Sequence, residues 1–287
     1  MDVFYSPRFL EHYQARGHPE SPERLEMILG YLEKSDIDME IVEPQDMDGE
    51  ELGLVHSREL VEKVKRYSGE QVSLPDNCFH ENTFEIAGLA ASASLQAAEN
   101  AIKKGFSFAL VRPPGHHAGK DFFGGFCYFN NLAFAVRKTG KRTLAIDFDV
   151  HHGNGTQDIF YNDGSVYYLS LHQFPLFPGT GRTAENNEHV CNIPLPPGTN
   201  DDEYLEALDM GLEKAEGFQP ELVAVSAGFD SWIECPIAGL SVSRSSTFYE
   251  IGKRISSLGC PAFACLEGGY AREDLGKNVY DFLRAFQ

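Results

Sequence analysis

Four of the ten histidines in this 287-residue chain occur as two adjacent pairs. One pair lies in DFDVHHGNG, residues 147–155, together with two aspartates, and the other lies in RPPGHHA, residues 112–118. Residues two apart in an extended chain point to the same side, so Asp147, Asp149 and His151 share one side and the apolar residues between them share the other. Carboxylates and an imidazole in this arrangement are typical of a metal site.

The metal site needs a further ligand, because two oxygen ligands and one imidazole make an incomplete set. Asp230, at the end of the apolar run VAVSAGFD, is the candidate. We therefore predict that Asp149, His151 and Asp230 bind the metal and leave one position open, as a catalytic zinc site requires. Asp147 is then free to hydrogen-bond with neighbouring groups. Any one of these residues alone would more often cap a turn or a helix, but capping does not account for the whole set.

A hydrolytic metal site also needs groups that transfer protons. His116 and His117 are the candidates, since the ordinary pKa of an imidazole lies near neutrality. A single histidine would more often have a structural role. Two in sequence after Pro113, Pro114 and Gly115 favour a place in the same site.

Strand-like and helical patterns alternate along the chain. Apolar runs predict strands at 106–111, 143–150, 165–171, 221–228 and 261–267, and helical patterns cover 82–104, 130–138, 201–218, 245–258 and a stretch from about Glu273. Asn82 and Glu85 predict a capping box for the first of these helices. The alternation predicts an α/β fold in one domain, residues 1–287, with a mostly parallel sheet flanked by helices on both faces. The segment 172–197 is predicted to be a loop.

Polar motifs follow all five predicted strands. RPPGHHA and DFDVHHGNG follow the first two, and SLH (170–172), AGFD (227–230) and EGGY (267–270) follow the other three. In open parallel sheets, ligands bind beyond the carboxyl ends of the strands. The five motifs are therefore predicted to meet in one crevice.

Composition bears on partners and location. The formal net charge of −19 disfavours direct binding to nucleic acid, and the acidity fits either a cationic ligand or simple solubility. The six cysteines include no CxxC pair, and the start MDVFYSPRFL lacks the basic and long apolar regions of a secretory signal. No stretch approaches the roughly 18 apolar residues of a membrane span. These features predict a cytoplasmic protein with reduced thiols and no membrane contact, and they leave the oligomeric state open.

The motifs together resemble the histone deacetylase family, which includes bacterial deacetylase-like enzymes and acetylpolyamine amidohydrolases. The resemblance covers RPPGHHA, GGFCYFNN, DFDVHHGNGTQ, SLH with FPGTG, SAGFD and LEGGY in that order, and it extends from HPESPERL, residues 18–25, to the last helix. It implies the arginase–deacetylase fold, with Asp149, His151 and Asp230 as ligands of zinc, which Fe²⁺ could replace.

The resemblance also implies roles for residues around the metal. His116 would contact Asp147, and His117 would contact Asn154, a neutral residue where the family has either Asp or Asn. Tyr270 matches the family's catalytic tyrosine, whose hydroxyl helps the metal to polarise the acyl carbonyl.

Substrate contacts follow from the same resemblance. Phe126 and Phe177 match an aromatic pair that lines the tunnel for an acylated amine, with Gly125 beside them, and Asp76 matches a rim aspartate. Ile237 stands where polyamine-selecting relatives from animals carry a glutamate that would hold a distal ammonium.

The family also binds potassium through backbone carbonyls near the zinc. The resemblance implies Asp147, Ser170 and Leu171 for this structural K⁺ site, together with Asp149 and His151.

These expectations point to a zinc-dependent amidohydrolase that removes an acetyl or longer acyl group from N-acyl-lysine or a related acylated amine. One alternative is an acetylpolyamine amidohydrolase. A second alternative, of another class, is a non-catalytic module that binds acylated ligands. The presence of a complete ligand set, both histidines and Tyr270 argues against the second alternative, because a binding module has no chemical need for all of them.

Overall fold

A single eight-stranded parallel sheet forms the centre of the protein, described here by a computed structural model of residues 1–287. The strands lie in the order β2-β1-β3-β8-β7-β4-β5-β6, and every neighbouring pair is parallel. Their bounds are β1 Asp2–Phe4, β2 Glu40–Val42, β3 Phe106–Ala109, β4 Thr143–Asp147, β5 Val166–Gln173, β6 Val190–Leu195, β7 Leu222–Ala227 and β8 Ala262–Leu266.

Eight α-helices pack around this sheet. They are α1 Glu23–Leu32, α2 Arg58–Glu70, α3 Thr83–Lys104, α4 Asn131–Thr139, α5 Asn154–Phe160, α6 Asp201–Ala215, α7 Ser246–Ser256 and α8 Arg272–Leu283. Helices α2 to α5 contact one another in chain order, and α1, α8, α7 and α6 form a second contacting series. The predicted α/β fold with a parallel sheet between helices is confirmed.

The sequence accounts for this architecture through its apolar runs. Every residue of β3, β4, β5, β7 and β8 is buried, as expected for central parallel strands covered on both faces. Helix α3 is rich in buried alanines, which allow it to pack closely against the sheet and α4. On α8, Phe282 packs against Phe106, Phe148 and Phe229. No helix is both long enough and apolar enough to cross a membrane.

Two local expectations are wrong. The segment 172–197 is not wholly a loop, because it contains the end of β5 and the edge strand β6, which pairs with β5 alone. Pro194 in β6 obscured the strand pattern, and an edge strand tolerates proline because one of its sides needs no ladder donor. Asn82 precedes α3 but makes no side-chain cap, and its amide donates to Glu11 instead. The capping box predicted for α3 is therefore absent, whereas α6 has one, formed by Asn200 and Glu203.

Candidate active site

The five polar motifs lie at neighbouring positions of the sheet. Strands β3, β8, β7, β4 and β5 are adjacent in that order, and each motif lies at or just beyond the carboxyl end of one of them. Parallel strands place these ends at one edge of the sheet, so residues distant in sequence meet there.

Asp149, His151 and Asp230 form a compact buried group. One potential ligand atom from each lies within 4.8 Å of the others. The Nδ1 atom of His151 is 3.2 Å from Oδ1 of Asp149 and 3.1 Å from Oδ2 of Asp230. Regular strand β4 ends at Asp147, yet Phe148 and Val150 are fully buried, so alternate residues of the following segment still pack in the core.

This group suits a divalent cation in its charge. Two buried carboxylates face one imidazole, and no lysine or arginine pairs with them. Burial and the charge of Asp149 raise the pKa of Asp230. Burial alone would lower the pKa of His151, but the hydrogen bonds and charges of Asp149 and Asp230 raise it to about 9. The shift of His151 indicates that the two carboxylates favour positive charge at this position.

Two glycines make room for the carboxylates. A Cβ atom on Gly228 would lie 2.2 Å from Oδ2 of Asp149, and one on Gly268 would lie 2.3 Å from Oδ2 of Asp230. The N–H of Gly268 donates to Oδ2 of Asp149 at 2.7 Å, and the N–H of Val150 donates to Oδ1 of Asp230 at 2.9 Å. The donor set, its burial and the space kept by glycine all fit a bound metal ion.

A second group of potential ligands comprises His116, Cys127 and Glu267. Here the atoms already have protein partners. Glu267 accepts two backbone N–H groups, and the sulfur of Cys127 accepts the N–H of His117. None of the three predicted metal ligands belongs to this group.

His116 lies beside Asp149, one of the three predicted metal ligands, and is paired with a second carboxylate, that of Asp147. Its Nδ1 is 3.2 Å from Oδ2 of Asp147, which also accepts the hydroxyl of Tyr168 at 3.0 Å. Burial would lower the pKa of His116, but the charges of Asp149, Asp147 and Glu267 raise it to about 10. The environment favours the imidazolium.

His117 has a neutral partner and the opposite tendency. Its ring lies 4.0 Å from that of His116, centroid to centroid, and its Nδ1 is 2.8 Å from Oδ1 of Asn154. Burial and the positive charges of His116 and His151 lower the pKa of His117 well below its ordinary value. With Nδ1–H donating to Asn154, the Nε2 atom of the neutral ring carries a free lone pair.

A cavity of about 280 Å³ opens above the metal group. Apolar side chains form much of its wall, and the histidines and Tyr270 provide polar atoms. It is lined by Asp76, Pro114, His116, His117, Gly125, Phe126, His151, Leu176, Phe177, Ile237, Gly268 and Tyr270. Every residue predicted to contact substrate therefore lines the cavity, whereas Pro114, Leu176 and Gly268 were not predicted.

The aromatic walls depend on close backbone approach. Phe126 lies edge-on to Tyr270 at 6.1 Å between ring centroids, and Phe177 lies edge-on to His117 at 5.1 Å. Gly125 has a positive φ of 53°, and a Cβ there would lie 2.4 Å from Cδ2 of His117. A larger residue would displace the histidine, which explains glycine at this position.

The surroundings of Tyr270 favour its protonated form. Burial raises the pKa of its hydroxyl well above the ordinary value despite the opposing charge of Arg24. The Arg24 guanidinium lies 4.9 Å from the centre of the Tyr270 ring and donates to the carbonyls of Gly269 (2.7 Å) and Glu267 (2.5 Å). The phenol is thus protonated, and the segment that carries it is tied to α1.

Arg24 belongs to a buried ionic network that the sequence did not reveal. Glu20 binds Arg112 through both carboxylate oxygens and lies 3.4 Å from Nη1 of Arg24. Burial would raise the pKa of Glu20, but Arg112, followed by His12 and Arg24, lowers it to about 2. The network joins the start of α1 to the loops that carry the histidine pair and Tyr270.

Replacing Glu20 by alanine is expected to lower the free energy of unfolding by about 3–5 kcal/mol, because two buried guanidiniums lose their counter-charge. The depressed pKa means that the Glu20 contribution is complete above pH 4.5, the ordinary pKa, and is lost as the pH falls towards about 2. Urea unfolding at neutral pH measures the change, with Glu26→Ala, at an exposed position of α1, as control. Equal stability of the Glu20→Ala protein and the wild type would contradict this account.

The predicted potassium ligands are adjacent in space. Asp147 and Ser170 are register partners in the paired strands β4 and β5, and Leu171 follows Ser170. The potassium site itself stays a prediction.

Comparison with known proteins agrees with the fold and the motifs. The family model described as histone deacetylase domain matches residues 18–286. A probable deacetylase of Methanothermobacter thermautotrophicus is 40% identical, over 99% of this chain and 90% of that protein. Among solved structures, the HDA15 HD domain has a TM-score of 0.91 and 31% identity, covering 99% of this chain and 87% of that one.

A second solved structure, acetylpolyamine aminohydrolase from Burkholderia pseudomallei, has a TM-score of 0.88 and 28% identity. The similarity covers 100% of this chain and 98% of that chain. Both structural neighbours share the arginase–deacetylase fold predicted from the motifs. The family match across nearly the whole chain, with a close relative of similar length, shows that this protein belongs to the histone deacetylase family.

Proposed function

We propose that this protein is a zinc-dependent amidohydrolase that removes an acetyl or longer acyl group from N-acyl-lysine or a related acylated amine. The observation that carries the proposal is one cavity of about 280 Å³ that has the metal-ligand residue His151, the histidine pair and Tyr270 in its lining. Membership of a deacetylase family supports amide hydrolysis as the reaction class.

Asp149, His151 and Asp230 would hold the metal. Zinc fits two oxygen ligands and one nitrogen ligand with a position left open, and Fe²⁺ fits the same set. When bound, such an ion supplies Lewis-acid polarisation of the acyl carbonyl and makes water a stronger nucleophile. The protein contributes the buried position of the ligands and the glycines that make room for them.

The cavity walls fit an aliphatic stem that ends in an amide. Phe126 and Phe177 would pack against the methylene groups of a lysine side chain, while Leu176 and Ile237 extend the apolar lining. Asp76 is exposed where it borders the cavity and would accept a hydrogen bond from a peptide N–H or an amine outside it.

The two histidines are assigned different roles. Neutral His117 would take a proton from the attacking water at Nε2 and pass it to the departing amine. His116, whose environment favours the charged form, would stabilise the negative charge that develops nearby. Tyr270 would donate a hydrogen bond to the acyl oxygen as negative charge develops on it.

We expect His117→Ala to lower kcat more than His116→Ala, because only His117 has a free lone pair on a ring that stays neutral. Loss of a general base typically costs about 10²–10⁴-fold. Steady-state kinetics on an acetyl-lysine peptide, with zinc content measured in parallel, test the order, and both variants should keep zinc. A greater loss in His116→Ala would mean that the two roles are exchanged.

The substrate class is tested by competition. Acetyl-lysine peptides, longer acyl-lysine peptides, acetylputrescine and acetylspermidine would be compared by kcat/KM. We expect a peptide to rank first, because the lining includes apolar Ile237 and no glutamate to hold a distal ammonium. Preference for an acetylpolyamine would instead support the activity named for the Burkholderia pseudomallei neighbour.

The non-catalytic alternative has a separate test. A binding module would bind the acylated peptide without turnover, with or without a chelator. Turnover that a chelator removes and zinc restores supports hydrolysis. Binding without turnover in zinc-loaded protein would overturn the proposed function.

A further inference from the structure

Glu267 is a fully buried carboxylate beside the site for which the proposed function gives no role. It directly follows β8, and its Oε2 atom accepts the backbone N–H groups of Gly115 at 2.7 Å and His116 at 3.1 Å. Its Oε1 atom lies 3.3 Å from the hydroxyl of Ser226, which donates to it. Both oxygens are therefore engaged in fixed hydrogen bonds.

No cationic side chain compensates this carboxylate through an ion pair. The two buried guanidiniums nearby, of Arg24 and Arg112, pair with Glu20. Burying a carboxylate costs free energy unless its oxygens accept hydrogen bonds. The backbone N–H groups that donate to Glu267 therefore offset the cost of burying it.

The loop that Glu267 binds carries the histidine pair. A Cβ atom on Gly115 would lie 2.5 Å from the backbone nitrogen of Asn131, so neighbouring backbone packs tightly against Gly115. The next N–H, of His117, donates to the sulfur of Cys127. Three consecutive N–H groups of the loop thus donate to side-chain acceptors, and two of them donate to Glu267.

The backbone of Glu267 belongs to the segment that leads to Tyr270. Its N–H donates to the carbonyl of Ala227, and its carbonyl accepts from Arg24. The next residue, Gly268, donates to Oδ2 of Asp149. Glu267 and Gly268 together therefore connect the histidine loop to Asp149, a proposed metal ligand, and to the tyrosine segment.

We propose that Glu267 is a positioning residue that sets the distance between the histidine pair and the metal–Tyr270 side of the site. The inference rests on the proposed function. In this proposal, Glu267 affects catalysis because its side chain is long enough to bind two N–H groups of the histidine loop. The charge of the carboxylate is secondary.

Two conservative variants separate reach from charge. Glu267→Gln keeps the length of the side chain, and its amide oxygen can accept both N–H groups while its NH₂ donates to Ser226. Glu267→Asp keeps the charge but is one methylene shorter. We expect the Glu267→Gln variant to keep kcat within about fivefold of the wild type. The Glu267→Asp variant should lower kcat by about 10²-fold, which is the typical cost of displacing a reacting group by roughly 1 Å.

KM should change little in either variant, since Glu267 does not line the cavity. Zinc content and the melting temperature show whether each protein is intact. A normal kcat for Glu267→Asp with a large loss of kcat for Glu267→Gln would overturn the proposal, because the charge of the side chain would then determine the activity. Equal losses in both variants, or no loss in either, would also overturn it.

A second measurement does not depend on turnover. In ¹H–¹⁵N spectra of the histidine side chains in zinc-loaded protein, Glu267→Gln should leave the His116 and His117 signals near their wild-type positions, and Glu267→Asp should shift them. If the wild type hydrolyses no acylated amine, the proposed function fails while these spectra still test the positioning role. Unchanged histidine signals in the Asp variant would refute it.

Discussion

Asp230→Ala is expected to lose both bound metal and turnover, with activity falling to that of chelator-treated wild type. Asp230 supplies one of only three predicted ligands, and its side chain is fully buried against His151. Removing the carboxylate leaves two ligands, too few for a stable zinc site. The fold should survive, because the core of a 287-residue chain does not depend on one ion. Elemental analysis of purified protein measures the zinc-to-protein ratio.

Asp201→Ala is the matched control for this experiment. Asp201, the first residue of α6, is also buried. It binds Ser243, Arg244 and Thr247, which lie just before and within the first turn of α7, away from the cavity. It should lose stability and keep its zinc. Full zinc occupancy in Asp230→Ala would refute the ligand assignment.

Tyr270→Phe is expected to lower kcat by about 10²–10³-fold, or roughly 2.7–4 kcal/mol of transition-state stabilisation. The ring keeps its contacts with Phe126 and Arg24, and one hydroxyl donor is lost. KM should change far less, because this hydrogen bond strengthens as charge develops on the carbonyl oxygen. Steady-state kinetics with zinc content measured in parallel test the prediction.

Tyr280→Phe serves as the control, since its hydroxyl binds Asp36 on the surface. It should leave kcat unchanged. A Tyr270→Phe enzyme with a raised KM and an unchanged kcat would identify Tyr270 as a binding residue, and the oxyanion would need another donor.

The sequence predicted those parts of the fold that local pattern determines. Long apolar runs such as 221–228 became buried strands, and side chains just beyond their carboxyl ends met in one crevice. Strands β1 and β2 were missed because three residues are too few to show a pattern. Edge strand β6 was missed because Pro194 interrupts its apolar pattern.

The cavity-lining residues were predicted through their motifs, whereas the network behind them was not. Arg24 and Gly269 are 245 residues apart in sequence, and Glu20 and Arg112 are 92 apart. Nothing in the local sequence around Glu20 distinguishes a buried carboxylate from an exposed one, and the apolar run before Glu267 does not reveal which groups its side chain binds. Only the three-dimensional fold brings their partners together.

The two hydrogen bonds from Arg24 to the carbonyls of Glu267 and Gly269 have an entropic consequence. They fix the backbone on both sides of Gly268, shortly before the tyrosine, although glycine-rich segments are otherwise the most conformationally free. The loss of that freedom occurs once, when the chain folds, and does not recur each time a substrate arrives. We therefore expect Tyr270 to meet a ligand already in place, without a loop closure before its proposed hydrogen bond.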